Sequence, residues 1–284
     1  MIVPVHGHPV HIGGPKLFDH YDEYVSALNG AGIDKMVIWG NDFFGVDNTL
    51  IVNFVHKYPD RFMGAPQISP FDPQALDKMK KLADEHGMSG IKLHPAEGFY
   101  LNDKKVMYPI YEQALELHMY NIAVHCAVAG GSRPKASNIY CQPLTLDEPS
   151  RDFPSINFQL SHCGWPLLEQ TIMLQERKNI YLDISYIRVF ENVWEEKVRL
   201  LLIAFGPERL LFGNYENFAK EPDRDFDYAY DIKKTAQLLK ARTDQTIRLL
   251  DNLKVSKEDQ AKIMGGTALH LYRYNATRVP VINN

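Results

Sequence analysis

The sequence predicts an α/β fold, a closed (β/α)8 TIM barrel, on three observations: eight short β-type runs, helical patterns between them, and a suitable length. The chain has 284 residues, and single barrels of this class run to about 250 residues or more. Strands that alternate with helices imply parallel pairing through crossover connections. The rival, an open doubly wound sheet, normally carries a glycine-rich phosphate turn after its first strand. The opening run IVPVHGHP has none.

The runs are IVPVHGHP (2–9), KMVIWGN (35–41), FMGAPQIS (62–69) and GIKLHPA (90–96), followed by NIAVHCAV (121–128), NFQLSHCG (157–164), NIYLDISY (179–186) and RLLFGNYE (209–216). Between the first two, Tyr21, Tyr24, Val25 and Leu28 fall at i, i+3, i+4 and i+7, one face of a helix over 21–32. A helix over 49–61 stops near Pro59. The stretch 73–87 has proline near its start and glycine at its end, the usual asymmetry of helix termini. Helical patterns recur over 108–121 and 166–179. After the eighth run, residues 216–231 are rich in charge and aromatics and read as a surface loop or lid. Ser256 and Asp259 have capping-box spacing and open a last helix over 256–274. No repeat or linker divides the chain, so residues 1–284 read as one domain.

Composition excludes several classes of function. Hydrophobic residues make up 45%, enough for a large core, and the formal net charge of -4 leaves no basic footprint for nucleic acid. No apolar run reaches the about 18 residues of a membrane span, and no charged segment followed by an apolar one opens the chain. Cys126, Cys141 and Cys163 show no disulfide framework, which suits a reducing, cytoplasmic setting. Exposed helix faces leave pairing into a homodimer open.

The histidines carry the chemistry. His6 and His8 stand one residue apart, and on a strand positions i and i+2 face the same side. His94, His125 and His162 fall at or near the ends of the fourth, fifth and sixth runs, with Lys92 two residues before His94. A single strand-end histidine is more often a hydrogen-bonded structural residue. Four strand ends bearing histidine reverse that reading, because chance would scatter the 11 histidines over helices and loops, as it does His20, His56, His86, His118 and His270. Barrel active sites lie at the C-terminal ends of the strands, so these groups would meet at one mouth. Neutral imidazole is the commonest metal ligand, and three or four of them suit Zn²⁺ or a similar divalent ion.

With these residues in place, nearly the whole chain resembles the amidohydrolase superfamily, in the amidohydrolase-2-like branch of metal-dependent barrel hydrolases and decarboxylases. HGHP, ALNGAGIDKMVI, KYPDRFMG, GIKLHP, AVHC, LSHCGWP, YLDIS and RLLFG resemble successive signatures of that family, in order. The resemblance implies His6, His8 and His125 as ligands of one divalent ion, zinc first and manganese second. It implies His162 as a further ligand or as the group that handles a proton. Lys92 and His94 would lie beside the metal, His94 against substrate. In some branches a lysine like Lys92 is carbamylated and bridges two metals; contact with a substrate carboxylate, or an ion pair, is the plainer role.

One departure stands out. The family usually ends the eighth strand with an aspartate that binds metal and moves the proton of the attacking water, but here the segment reads FGNYEN. Glu216 could take over through a local bulge, with Tyr215 against substrate. Alternatively, Asn214 or Tyr215 serves a chemistry that needs no carboxylate base, or the chain is a binding paralogue without hydrolytic activity. Asp183 in YLDIS is set aside as the substitute, because the family often has an acid there too. Arg133 and Arg188 follow the fifth and seventh runs, and guanidinium forks suit carboxylates; Trp165 and Tyr186 could flank a planar substrate. The sequence thus predicts metal-dependent hydrolysis of a small carboxylate-bearing amide, ester or lactone, with decarboxylation of an aromatic or unsaturated acid as the alternative.

Overall fold

The computed structural model of the chain describes residues 1–9, 21–41, 47–127, 136–185, 191–214 and 232–272. Parallel pairs join β1 (Met36–Trp39) to β2 (Phe62–Ala65), and β3 (Gly90–Leu93), β4 (Asn121–Val124), β5 (Asn157–Leu160), β6 (Ile180–Asp183) and β7 (Leu210–Leu211) in chain order. Three bridges close these ladders into a ring. Gln67 pairs with Lys92 between β2 and β3, while Val5 pairs with Gly213 and Gly7 with Ile38. Residues 5–7 therefore stand between β7 and β1 as the first of eight parallel segments, bonded through Val5 N to Phe212 O and Gly7 N to Val37 O. The architecture is the TIM barrel, with every one of the eight predicted runs in the wall.

Strand positions bury both faces, as parallel sheets covered by helices must. Val5, Val37, Trp39, Ala65, Ala123 and Leu211 fill the barrel interior. The alternate residues, among them Ile38, Ile91, Ile122, Phe158, Ile180 and Leu210, pack outward into the larger core under the helices. The opening segment departs from regular strand geometry, because His6 has φ 69°. Simple alternation therefore does not carry through HGH, although both rings still reach the interior.

The helices α1 (Tyr21–Gly30), α2 (Asn48–Lys57) and α3 (Ala75–Asp84) lie within the predicted stretches or one residue beyond them. α4 (Lys104–Glu116) begins four residues earlier than the pattern suggests, because Asp103 caps it by accepting from the Lys105 and Val106 amides. The helix expected over 166–179 shortens to α6 (Leu168–Met173), preceded by the short α5 (Asp147–Asp152). α7 (Glu191–Phe205) and α8 (Ile232–Asn252) complete the outer layer. Among the described residues, no helix is long and apolar enough to cross a membrane. The lid read over 216–231 lies outside the described residues.

The tail does not form one helix. Ser256 caps α9 (Lys257–Ala261) as its spacing predicts, and a π-turn over Lys262–Gly266 leads into α10 (Thr267–Tyr272). The turn frees the carbonyls of Ile263 and Met264 to accept from the amides of Phe212 and Val3. It brings the backbone so close that a Cβ on Gly265 would stand 2.8 Å from Val3 N. Gly265→Ala is expected to cost about 1–3 kcal/mol of stability, as overpacking does. The denaturation midpoint should fall with an unchanged m-value.

Candidate metal centre

The predicted histidines come together at the C-terminal ends of the strands. The His8 and His6 rings meet edge to face at 4.9 Å, and His6 lies 4.6 Å from His162. His162 stands 5.9 Å from His125, and His125 stacks on His94 at 4.3 Å. Five imidazoles from four stretches of chain thus form one contiguous buried array. Trp39 floors it, stacked on His6 at 4.2 Å, with Lys92 Nζ 4.2 Å above the indole. Lys92 donates to Ser161 Oγ at 2.8 Å.

Among the described residues, His6, His162 and Asp183 form a group of potential metal ligands whose ligand atoms all lie within 4.8 Å of one another. Asp183, set aside in the sequence as a substitute for the eighth-strand aspartate, is the carboxylate that stands beside the histidines among the described residues. Its Oδ2 lies 2.5 Å from His6 Nδ1, and its Oδ1 accepts from the Ser185 amide at 2.7 Å. Gly213 makes this position accessible, since a Cβ there would stand 1.8 Å from Asp183 Oδ1. Asn214, a candidate for the chemistry in the sequence, is buried and donates from Nδ2 to the Leu239 carbonyl of α8.

Protonation states follow from the surroundings. Burial, then the neighbouring His162 and Lys92, pulls His6 well below the usual imidazole value. Burial and Lys92 bring His162 down to about 3. Burial takes Lys92 down to about 7, against the opposing charge of Asp183. Asp183 is pushed up to about 7 by burial, while the Ser185 amide and hydroxyl, the His162 amide and Lys92 work the other way. His6 and His162 are therefore neutral at physiological pH, the form that binds metal.

These residues fit a divalent ion. The His8 Nδ1 lies 2.7 Å from the Trp39 carbonyl oxygen, which can only accept, so Nδ1 carries the proton and Nε2 the lone pair. His6 Nδ1 stands 2.5 Å from Asp183 Oδ2, and with that carboxyl ionised it donates in the same way. A ligating imidazole almost always gives its other N–H to a carboxylate or carbonyl, and a bound cation would in turn hold Asp183 ionised. Backbone strain marks the same place: His6 (φ 69°), His162 (φ 53°) and Cys163 (φ 54°) adopt left-handed conformations, costing roughly 1–3 kcal/mol each. Such strain clusters at functional sites.

The remaining candidates divide. Trp165 is half-buried and packs on the core between strands and helices. Arg133, Arg188, Tyr215 and Glu216 lie outside the described residues. Asp183 and Ser185 share one side of their run, alternating with Leu182 and Ile184; that period-two pattern was the signal available for them in the sequence.

Comparison with known proteins agrees with this fold. The chain covers nearly the whole length of several solved barrels. One is an uncharacterised TIM-barrel protein from Bordetella bronchiseptica, 20% identical, covering 98% of this chain and 99% of that one, with a TM-score of 0.70. A probable 2-pyrone-4,6-dicarboxylic acid hydrolase from Acinetobacter baumannii is 14% identical over 96% of this chain and 99% of that one, with a TM-score of 0.67. The 2,6-dihydroxybenzoate decarboxylase of Rhizobium is 14% identical over 96% and 98%, with a TM-score of 0.65. Similarity at this level establishes the fold. Among curated proteins, none matches the chain. The model of the amidohydrolase family, Amidohydro_2, matches residues 15–274. The chain belongs to the amidohydrolase family.

Proposed function

We propose that the protein is a metal-dependent hydrolase of a small carboxylate-bearing amide, ester or lactone. The observation that carries this reading is a buried array of imidazoles, two of which (His6 and His8) are held by hydrogen bonds on Nδ1, with Asp183 beside them. His6, His8 and His125 hold one divalent ion, zinc before manganese. Such an ion lowers the pKa of a bound water towards about 7 and polarises a carbonyl. Asp183 orients His6, and His162 handles the proton of the reacting water. Lys92 supplies positive charge for a substrate carboxylate, with His94 lining the same wall. Arg133, Arg188, Trp165 and Tyr215 are the further substrate contacts of this reading, and Glu216 is its stand-in water base.

Decarboxylation of an aromatic or unsaturated acid is the second reading. It is favoured by the segment FGNYEN, which lacks the aspartate with which the family usually ends the eighth strand. The two readings separate on a panel of lactones, esters and amides bearing a carboxylate, tested beside aromatic acids with zinc- and manganese-loaded protein. Hydrolysis of the first group without release of CO₂ from the second is expected. Release of CO₂ without hydrolysis contradicts the proposal.

A further inference from the structure

Ser185 stands two residues beyond Asp183 on the same side of the barrel wall, at the centre of a short relay. Its Oγ is 2.9 Å from Asp183 Oδ2 and 2.7 Å from His162 Nδ1. A hydroxyl has one proton to give and lone pairs to receive, so the direction of the relay depends on which end takes that proton. Backbone amides, which can only donate, reach both oxygens of the Asp183 carboxyl: the His162 amide at Oδ2 and the Ser185 amide at Oδ1. An oxygen surrounded in this way is an acceptor. The Ser185 proton therefore goes to Asp183, and Ser185 Oγ receives the proton of His162 Nδ1. A neutral imidazole has a single N–H, which leaves Nε2 of His162 unprotonated.

The backbone keeps the ring in register with the relay. His162 and Cys163 are both left-handed. Cys163 Sγ donates to the Asp183 carbonyl, and Thr171 Oγ1 donates to the Cys163 carbonyl at 2.7 Å. A Cβ on Gly164 would stand 2.4 Å from Thr171 Oγ1 and from Pro143 Cγ, so the turn closes only around glycine.

We infer that Ser185 is a positioning residue that fixes the His162 proton on Nδ1, so that Nε2 faces the chemistry as a proton acceptor. This rests on the proposed metal-dependent reading and sharpens it. Hydrolysis needs a group that takes a proton from water, whereas protonating a substrate carbon after loss of CO₂ needs an N–H. The relay supplies the first. The reverse relay, from a protonated Asp183 through Ser185 to His162 Nδ1, would supply the second.

The test is long-range proton–nitrogen correlation NMR of zinc-loaded protein labelled with ¹⁵N-histidine, the His162 signals being identified by their loss in His162→Gln. Wild type is expected to show His162 protonated on Nδ1 and unprotonated on Nε2. Ser185→Thr should keep that pattern, and Ser185→Ala should lose it to a mixture of tautomers. A wild-type spectrum with the proton on Nε2 overturns the inference, whether or not Ser185→Ala folds. So does an unchanged pattern in Ser185→Ala. Zinc content measured on the same samples keeps the two ideas apart: protein that binds no zinc defeats the metal reading, while the tautomer pattern still decides the role of Ser185.

Discussion

Replacing His6 and His8 together by alanine is expected to abolish stoichiometric metal binding and any turnover with it. Wild-type protein should retain about one divalent ion per chain through dialysis, read by elemental analysis. Removing a group that merely orients a ligand already costs about 10–100-fold in affinity, so removing two direct donors should exceed about 100-fold. The fold should survive. Its stability comes from two large apolar clusters, and the chain around positions 6 and 8 is held by backbone bonds at Val5 and Gly7 that alanine leaves intact. An unchanged far-ultraviolet circular dichroism spectrum together with lost metal is the expected pair of results. Retained metal in the double variant would remove these histidines from the site.

Gly213→Ala should have the second-largest effect, although residue 213 has no side chain of its own. A methyl group there would lie 1.8 Å from Asp183 Oδ1 and 2.7 Å from Ser185 Cβ, so the carboxyl has to turn away. Asp183 then loses the Ser185 amide and its hold on His6. Metal affinity is expected to fall about 10–100-fold, as for loss of an orienting partner. Stability should fall by roughly 1–3 kcal/mol from overpacking. Asp183→Asn separates the two effects: it nearly keeps the shape and removes the charge, so affinity should drop with a smaller change in denaturation midpoint. Full metal affinity in Gly213→Ala would show that the position of Asp183 does not matter.

Much of the barrel was legible in the sequence because its signals are local. β-type runs such as KMVIW and NIAV alternate with amphipathic stretches such as 21–32, and each strand needs only its own few residues to be recognised. The convergence of His6, His94, His125 and His162 was legible for a related reason, since barrel topology sends every strand end to one mouth. What escaped depends on contacts between distant segments. FGNYE invites a search for a carboxylate at the end of the eighth run, yet what that run contributes at 213 is space, filled by Asp183 from the run before. Nothing local in YLDIS shows that Asp183 reaches His6 or that Ser185 bridges to His162. The left-handed turn at His162 and Cys163 was equally hidden, because only a few per cent of non-glycine residues adopt a positive φ. The tail read as one helix because its apolar period continues through the π-turn, whose cause is the close approach of Gly265 to Val3.

The central claim is that imidazoles from the opening segment and the strand ends hold one cation in the barrel mouth. Anomalous diffraction from crystals of zinc-loaded protein, recorded on both sides of the zinc absorption edge, tests it most directly. The account predicts a single strong peak within about 2.0–2.1 Å of nitrogen atoms of His6, His8 and His125, with Asp183 still hydrogen-bonded to His6. A peak elsewhere on the chain, or a barrel mouth with no peak in protein that has been supplied with zinc, would contradict it.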